Sequence, residues 1–413
     1  MPLPTQQPVY LIDGSRTPFN QQLRRNAQGE TTYSPQDLIH TTARSLLSRH
    51  AIQAEQIDDV VVASSKLLGC ADLALHASQR LRCHQVLSPQ TLLGSEHVGL
   101  QALSYAFQSI AQQEKSLILL GAVETTPPPV ISMSDELSQW LHAWKNANGI
   151  SAKTKVFNTL HTRFFSQKDN SIDHSEALFK QRQQQAEQVA SESFISLAAQ
   201  AEYVNLSQRR LKYAQRNNNL CHITPIYYPD GHSVSSDENL ITLDPESLQQ
   251  AVQTSPEASG VITQSSVAQM TEGACCLLLA SQDFIDEHNI VSLAQLNQPT
   301  WGADIQAVKQ ALETKQLSVA DIDYWEWDES SAAEILALKQ HPYFKTLNSF
   351  DRINLDGGSL ALGSPNAANQ LRNILQLANN LKRNDAQQGL SFFNFAQQNN
   401  SATLVQRSRG SEA

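Results

Sequence analysis

Residues Thr91–Gln108, TLLGSEHVGLQALSYAFQ, contain the turn from a short apolar segment into an amphipathic helix. Leu100, Leu103 and Phe107 recur at helical spacing. Glu96 stands at or just before the first helical turn, where free backbone N–H groups and the positive end of the helix dipole stabilise an anion. Position 96 could therefore hold a nucleophile or bind an anion, although an acidic residue there is also an ordinary helix-start signal.

The composition excludes several classes of protein. The chain has 413 residues, of which 40% are hydrophobic and 17% charged, and this is typical of a globular protein with a large core. The formal net charge of −10 argues against a nucleic-acid binder, which would present a basic surface. No apolar run is long enough to span a bilayer, and the first residues lack the charged-then-apolar pattern of a signal peptide.

The cysteines indicate a reducing compartment. There are five, no pair has metal-ligand spacing, and Cys275 and Cys276 are adjacent within an apolar run. We therefore expect a cytoplasmic protein without a metal site.

Strands and helices alternate along the first part of the chain. The predicted elements are strand Val9–Asp13, helix Pro35–His50, strand Val60–Ser64, helix Leu73–Leu81, the central helix 97–112 and strand Ser116–Gly121. This alternation is the pattern of a layered α/β domain.

The composition changes after Pro127-Pro128-Pro129. From residue 130 to about 255 the chain is rich in polar helices and loops, and Glu176–Glu202 is predicted to be one long helix. After this region the sequence pattern of a compact α/β domain returns, and Ala332–Gln340 is predicted to be a helix. Helix 366–381 followed by strand 390–395 repeats the arrangement of helix 97–112 and strand 116–121, which suggests a duplicated domain.

Four short motifs carry a resemblance to a known family. They are VYLIDGSRTPF at Val9–Phe19, GLQA at Gly99–Ala102, LLGAVET at Leu119–Thr125 and NLDGGSLALGSP at Asn354–Pro365. Together they resemble the thiolase family over nearly the whole chain, in particular the 3-ketoacyl-CoA thiolases (acetyl-CoA acyltransferases) of the β-oxidation complex. The last motif is long, ungapped and the most specific of the four.

The resemblance implies two βαβαβαββ halves in a five-layer αβαβα sandwich, with a helical loop domain inserted in the first half. The expected segments are the first half up to the insertion, the inserted loop domain, the end of the first half and the second half, at residues 1–129, 130–255, 256–281 and 282–413 respectively.

Members of the family transfer an acyl group between coenzyme A and a cysteine, and this chain departs from them at most catalytic positions. The nucleophilic cysteine falls on Glu96, and the histidine that activates it falls on Ser364. The second cysteine, which is the acid and base for the α-proton, falls on Asn394. The asparagine that orders an oxyanion-hole water falls on Asp328, and only the adjacent Glu329 matches.

These replacements disfavour ordinary thiolase chemistry. A carboxylate at Glu96 is a far poorer nucleophile toward a thioester than a thiolate. Ser364 cannot serve as a base near neutral pH, Asn394 cannot shuttle a proton, and an ionised Asp328 opposes the charge of an oxyanion. His97 beside Glu96 could be a general acid or base, or equally a packed histidine.

Three hypotheses stay open. The first is a thiolase-fold protein that has lost acyl transfer and acts as an acyl-CoA-binding or structural or regulatory subunit. The second is an altered enzyme, for example a decarboxylase that uses Glu96. The third is an active 3-ketoacyl-CoA thiolase with rerouted catalysis, which rests on resemblance alone.

The resemblance also implies ligands and partners. Coenzyme A or acyl-CoA is the implied ligand, without a tightly bound cofactor. Lys155 and Arg163 could contact its phosphates, although a solvated basic helix face is the alternative, and Ser265 and Ser266 lie near the expected pantetheine loop. The implied assembly is a homodimer, or a complex with a β-oxidation thiolase or hydratase/dehydrogenase.

Overall fold

The structure is a computed structural model of the chain. It describes residues 7–26, 29–65, 72–86, 88–94, 96–125, 135–161, 174–237, 260–394 and 399–408. The chain divides into two compact units, the first formed by Met1–Thr125 with Arg182–Ala413 and the second by Thr126–Gln181.

The helices and strands are numbered in chain order. The helices are α1 Pro35–Ser48, α2 Leu73–Leu81, α3 Val98–Ala111, α4 Asp135–Asn146, α5 Ile150–Phe157, α6 His174–Glu192, α7 Leu197–Arg216, α8 Gln282–His288, α9 Gln306–Glu313, α10 Ala332–Gln340, α11 Ser359–Leu362 and α12 Asn366–Arg383. The strands are β1 Val9–Arg16, β2 Asp59–Ser64, β3 Gln90–Leu93, β4 Leu117–Glu124, β5 Ile226–Tyr227, β6 Ser233–Val234, β7 Gly273–Ser281, β8 Ala294–Leu296, β9 Thr300–Gly302, β10 Tyr324–Trp327, β11 Gln388–Phe393 and β12 Asn400–Arg407.

The first unit is built on one large sheet that repeats its own pairing pattern. The strand order is β10-β11-β12-β8-β1-β7-β4-β2-β3, and β9 pairs with β12. In the first half β2 and β4 are parallel, and β4–β7 and β7–β1 are antiparallel. In the second half β10 and β11 are parallel, and β11–β12 and β12–β8 are antiparallel. This repetition confirms the predicted duplication, and the antiparallel pair β1–β8 joins the two halves.

Three buried apolar clusters place the helices in layers. One contains the apolar faces of α3 and α12 together with residues of both halves of the sheet. A second packs α1 and α2 on the first half, and a third packs α9 and α10 on the second half. These contacts give the five-layer αβαβα sandwich that the resemblance implies, with α3 and α12 in the central layer.

The two central helices approach each other closely at Gly99. A Cβ atom there would lie 2.5 Å from the carbonyl oxygen of Ala367, which is closer than real Cβ contacts. Glycine is therefore required at this position by the close approach of α12 rather than by backbone conformation.

The prediction of one helix over Glu176–Glu202 is wrong. The structure has two helices, α6 and α7, separated by residues 193–196. Phe194 has a φ of 55°, which an α-helix does not allow, and the Ser196 hydroxyl accepts a hydrogen bond from the Ala199 amide at 3.2 Å as the N-cap of α7. The helical pattern of the sequence continues across this break, so the break could not be predicted from the pattern.

The insertion lies between two neighbouring strands, β4 and β7, of the first half. Its predicted boundaries, 130 and 255, stay a prediction. The second compact unit contains α4 and α5, where the Trp140 indole N–H donates to the Val156 carbonyl at 2.8 Å. Among the helices that the structure describes, none combines the length and the apolar composition needed to cross a bilayer.

A buried carboxyl lies between the sheet and α12. Glu326 of β10 is fully buried, with Oε2 at 3.5 Å from Arg372 Nη1 and Oε1 accepting a hydrogen bond from Asn380 Nδ2 at 3.2 Å. Burial raises the pKa of Glu326 to about 8, despite the attraction of Arg372. In the unfolded chain the pKa of a glutamate is ~4.3.

We predict that Glu326 makes the protein less stable as the pH rises from about 4.3 to 8. In this window the folded protein keeps the proton and the unfolded chain has lost it, so raising the pH favours unfolding. Glu326→Gln, which mimics the neutral carboxyl, should flatten this part of the curve of unfolding free energy against pH. Denaturant titrations between pH 5 and 8 measure it, with the exposed Glu287→Gln as control. An unchanged slope in Glu326→Gln would show that Glu326 is ionised in the folded protein.

Candidate functional site

The four positions that the resemblance equates with catalytic residues, here called the substituted positions, lie together in one pocket. Asp328 follows β10 directly and Asn394 follows β11, and the two strands are parallel neighbours, so their carboxyl ends meet at one edge of the sheet. Glu96 precedes α3, and Ser364 lies between α11 and α12. The other residues of the lining are Arg182, Gln185, Ser330, Glu334, Asn366, Asn369, Gln370 and Phe393.

The space among these side chains is small. Its volume is about 20 Å³, which holds one water molecule. The lining consists mostly of amides, hydroxyls and carboxyls, with Phe393 as its large apolar side chain. This differs from the predominantly apolar pockets of several hundred Å³ that bind organic ligands.

Glu96 contacts two residues across the pocket. One carboxylate oxygen lies 3.9 Å from Arg182 Nη2, and the backbone carbonyl of Glu96 accepts a hydrogen bond from the Gln370 amide. The same Gln370 accepts a hydrogen bond from the Leu100 backbone N–H at 2.9 Å. The side chain of His97, which precedes α3, makes no capping bond. The amide of Gln370 therefore occupies the start of α3, where the helix offers its free N–H groups.

Asp328 is held by two neighbouring side chains. The Ser330 hydroxyl donates to Oδ2, and Asn369 Nδ2 lies 3.3 Å from Oδ1. Burial raises the pKa of Asp328, and hydrogen bonding to Ser330 and the charge of Arg182 oppose that rise. The neutral acid is therefore more populated here than for an ordinary aspartate.

Glu334 is a second buried carboxyl in the lining. It lies in the first turn of α10, where its Oε2 accepts from the Ser331 hydroxyl at 3.0 Å and its amide donates to the same hydroxyl at 3.2 Å. Burial, with the nearby Asp328 and Glu96 charges, raises the pKa of Glu334 to about 7, and Ser331 and Arg182 oppose this. The pocket thus carries three carboxyl groups beside one guanidinium.

Ser364 and Asn394 provide hydroxyl and amide groups where the resemblance places an imidazole and a thiol. Ser364 is buried, and its backbone N–H donates to the Gln269 carbonyl at 2.8 Å. Asn394 is half-buried at the end of the second-half strand pair. Neither the hydroxyl nor the amide can act as a general acid or base near neutral pH.

Glu329 follows Asp328 in the chain but does not line the pocket. Its buried carboxylate accepts hydrogen bonds from Tyr203 Oη and Ser207 Oγ, each at 2.8 Å, and from Asn354 Nδ2 at 2.7 Å. A fourth bond comes from the Leu360 amide at 3.1 Å. One carboxylate thus ties α7 to the NLDGGSLALGSP segment, which is a structural role.

His97 does not line the pocket. Its ring makes an edge-to-face contact with Trp301, with the centroids 6.0 Å apart. Burial lowers the pKa of His97, and the Glu96 charge opposes this. His97 is a neutral, packed histidine at pH 7.

The four residues predicted to bind coenzyme A fall in different parts of the chain, and the structure describes three of them. Ser265 and Ser266 are buried in a turn with Thr263, whose carbonyl accepts from the Ser266 hydroxyl at 2.9 Å. Lys155 is exposed on α5 in the second compact unit, and Arg163 lies outside the described residues. The prediction of these contacts therefore stays a prediction.

Sequence reasoning missed Arg182, Glu334, Asn369 and Gln370. Arg182 is the arginine within the glutamine-rich run KQRQQQ, and Glu334 completes the helix-start pattern Ser-x-x-Glu with Ser331. Asn369 and Gln370 belong to the amide-rich start of α12, NAANQ, whose residues are buried. The run of amide side chains in this segment was the sequence feature that could have indicated these residues, because buried amides need hydrogen-bond partners.

The described thiols and acids suggest neither a nucleophile nor a metal centre. Burial raises the pKa of Cys275 to about 12 and that of Cys83 to about 11, so both are protonated at neutral pH. Cys221 is exposed. Within the described ranges no group of three or more His, Cys, Asp or Glu side chains could hold a metal ion.

Comparison with known proteins assigns the family. The model for the thiolase N-terminal domain matches residues 9–283, and that for the thiolase C-terminal domain matches residues 290–407. The chain belongs to the thiolase family.

Thiolase relatives resemble it distantly but along most of their length. The trifunctional enzyme subunit beta of Bos taurus is 24% identical, over 92% of this chain and 84% of that protein. The 3-oxoadipyl-CoA/3-oxo-5,6-dehydrosuberyl-CoA thiolase of Escherichia coli is 25% identical, over 92% and 95%. The crystal structure of human mitochondrial 3-ketoacyl-CoA thiolase superposes with a TM-score of 0.77 at 20% identity, over 97% of this chain and 99% of that one. A structure of the same human thiolase contains CoA.

We predict that Glu96→Gln lowers the free energy of unfolding by no more than about 1 kcal/mol, because water screens a carboxylate that is partly exposed and not in close contact with its partner. Glu96 is 39% exposed, and its oxygen lies 3.9 Å from Arg182. The same change at Glu329 should cost at least about 2 kcal/mol, because an amide nitrogen there faces donors instead of acceptors.

Denaturant titrations at pH 7 compare the two variants with the wild type. Equal losses for the two variants would mean that Glu96 is a structural residue like Glu329. The same samples assayed for consumption of malonyl-CoA and 3-ketoacyl-CoA should be inactive, and a wild-type activity lost in Glu96→Gln would make Glu96 catalytic.

Proposed function

We propose that this chain is a thiolase-fold protein that has lost acyl transfer and serves as an acyl-CoA-binding or structural or regulatory subunit in fatty-acid β-oxidation. Membership of the thiolase family supports coenzyme A chemistry as its setting. The pocket supports the loss, because its four substituted positions hold two acids, a hydroxyl and an amide.

The main support for the proposal is that side chains of the pocket form hydrogen bonds within the protein and leave little free space. Gln370 bonds the Leu100 amide and the Glu96 carbonyl, and Asn369 and Ser330 bond Asp328. About 20 Å³ remains, which is too little for a thioester and its acyl chain. A thiolase needs an activated thiolate and a base in this space, and the lining residues that the structure describes include neither cysteine nor histidine.

Acyl-CoA remains the proposed ligand, on family grounds. A human thiolase of the same fold has been solved in complex with CoA. We propose Lys155, Arg163, Ser265 and Ser266 as contacts, and a cytoplasmic location. None of these contacts requires the catalytic residues, so binding can survive the loss of turnover.

A partner is part of the proposal. Relatives include the trifunctional enzyme subunit beta, and we propose a homodimer, or a complex with a β-oxidation thiolase or hydratase/dehydrogenase. Strand β3 ends the sheet, and Leu93 on it is 50% exposed. An open strand edge is a ready pairing surface. Light scattering at micromolar concentration should give a dimer, and a stable monomer would contradict it.

The direct test is titration with acetyl-CoA and a medium-chain acyl-CoA, with thiolysis assayed in the same samples. We expect wild type and Glu96→Cys to show no thiolysis. A thiol at position 96 would still lack its base and proton shuttle because Ser364 and Asn394 remain, and residues that act as a unit are not additive.

An active thiolase run in parallel is the positive control. CoA-dependent cleavage of a 3-ketoacyl-CoA by the wild type would refute the loss of acyl transfer. Turnover in Glu96→Cys alone would show that the rest of the site is intact. Absence of binding with either ligand would leave only the structural role.

A further inference from the structure

Arg182 is a cation that lines the pocket together with three carboxyl groups, as far as the structure describes the lining. It lies on α6, and its side chain is only 10% exposed. Nη2 lies 3.9 Å from Glu96 Oε1, and Nη1 donates to the sulfur of Met270 at 3.5 Å. The charge of Arg182 also acts on Asp328 and Glu334.

The three acids of the lining come from different elements. Glu96 precedes α3, Asp328 follows β10 and Glu334 starts α10. Arg182 lies 3.9 Å from Glu96, and its charge opposes the rise in the pKa of the two buried acids. Farther along α6, Glu187 accepts hydrogen bonds from the Val261 and Ile262 amides, the former at 3.0 Å and the latter at 3.1 Å. The backbone of α6 is therefore anchored beside the pocket.

The arginine side chain occupies volume that a ligand would need. With Arg182 in the lining, about 20 Å³ remains. An arginine side chain is larger than a short acyl group, so truncating it would free enough room for such a group. The surrounding backbone would stay in place because Glu187 holds α6 independently of Arg182.

We propose that Arg182 is a specificity-determining residue that excludes the acyl group from this pocket, so that the wild type binds free CoA and short acyl-CoA equally. The proposal rests on the proposed function, which makes acyl-CoA the ligand. Its consequence is that CoA contacts outside the pocket supply the affinity. The protein then senses the CoA pool rather than the acyl chain.

Calorimetric titration with CoA and with butyryl-CoA tests this, since the ratio of the two dissociation constants isolates the acyl group. For the wild type we expect a ratio near one. For Arg182→Ala we expect butyryl-CoA to bind about tenfold more tightly than CoA, as burial of a few methylene groups provides. Arg182→Lys keeps the charge and should stay near one. The control is Gln188→Ala, an exposed position on the same helix.

Thermal melts establish that each variant is folded, and Arg182→Gln replaces Arg182→Ala if the latter is not. A ratio near one in the truncated variants, or a tenfold ratio already in the wild type, would overturn the role of Arg182 and leave the proposed function standing. Failure of every variant to bind CoA would overturn the proposed acyl-CoA ligand, and the role of Arg182 with it.

Discussion

The close crossing of α3 and α12 is the constraint on which the rest of the structure depends. The helices form the central layer and pack against both halves of the sheet. They meet where Gly99 leaves room for the Ala367 carbonyl and for Gln370. Because both helices begin at this crossing, their N-termini, the ends of β10 and β11 and the loop before α12 converge on one small volume. The fold therefore places a pocket at this position whether or not the lining residues can catalyse a reaction.

Several residues of the pocket are connected to one another and to α3. Gln370 bonds the first turn of α3, Asn369 bonds Asp328, and Arg182 faces Glu96. Each of these contacts lies within the protein. Polar side chains that form hydrogen bonds with one another in this way stabilise a closed arrangement. In an active site, by contrast, some donors stay free to bind the transition state. The position of the pocket follows from the fold, and its closure follows from these side chains.

Much of the fold could be predicted because its signals are local. Helices α2 and α10 lie at the residues that apolar periodicity predicted, and the NLDGGSLALGSP segment indicated the family and the loop before α12. The break between α6 and α7 was missed, since one residue with positive φ leaves little trace in periodicity. The structure places the four substituted positions in the lining of one pocket. Their partners Arg182 and Gln370 could not be predicted, because those contacts join segments distant in sequence and depend on side-chain geometry.

Intact-mass spectrometry after incubation with acetyl-CoA tests the central claim most directly. An acyl-transferring thiolase of this fold retains the acetyl group on its nucleophile when the reaction is quenched in acid, and an active thiolase provides the control. This chain presents a carboxylate at that position, paired with Arg182 in a pocket with room for about one water molecule. The account predicts an unchanged mass for the wild type. A stoichiometric gain of one acetyl group would contradict it.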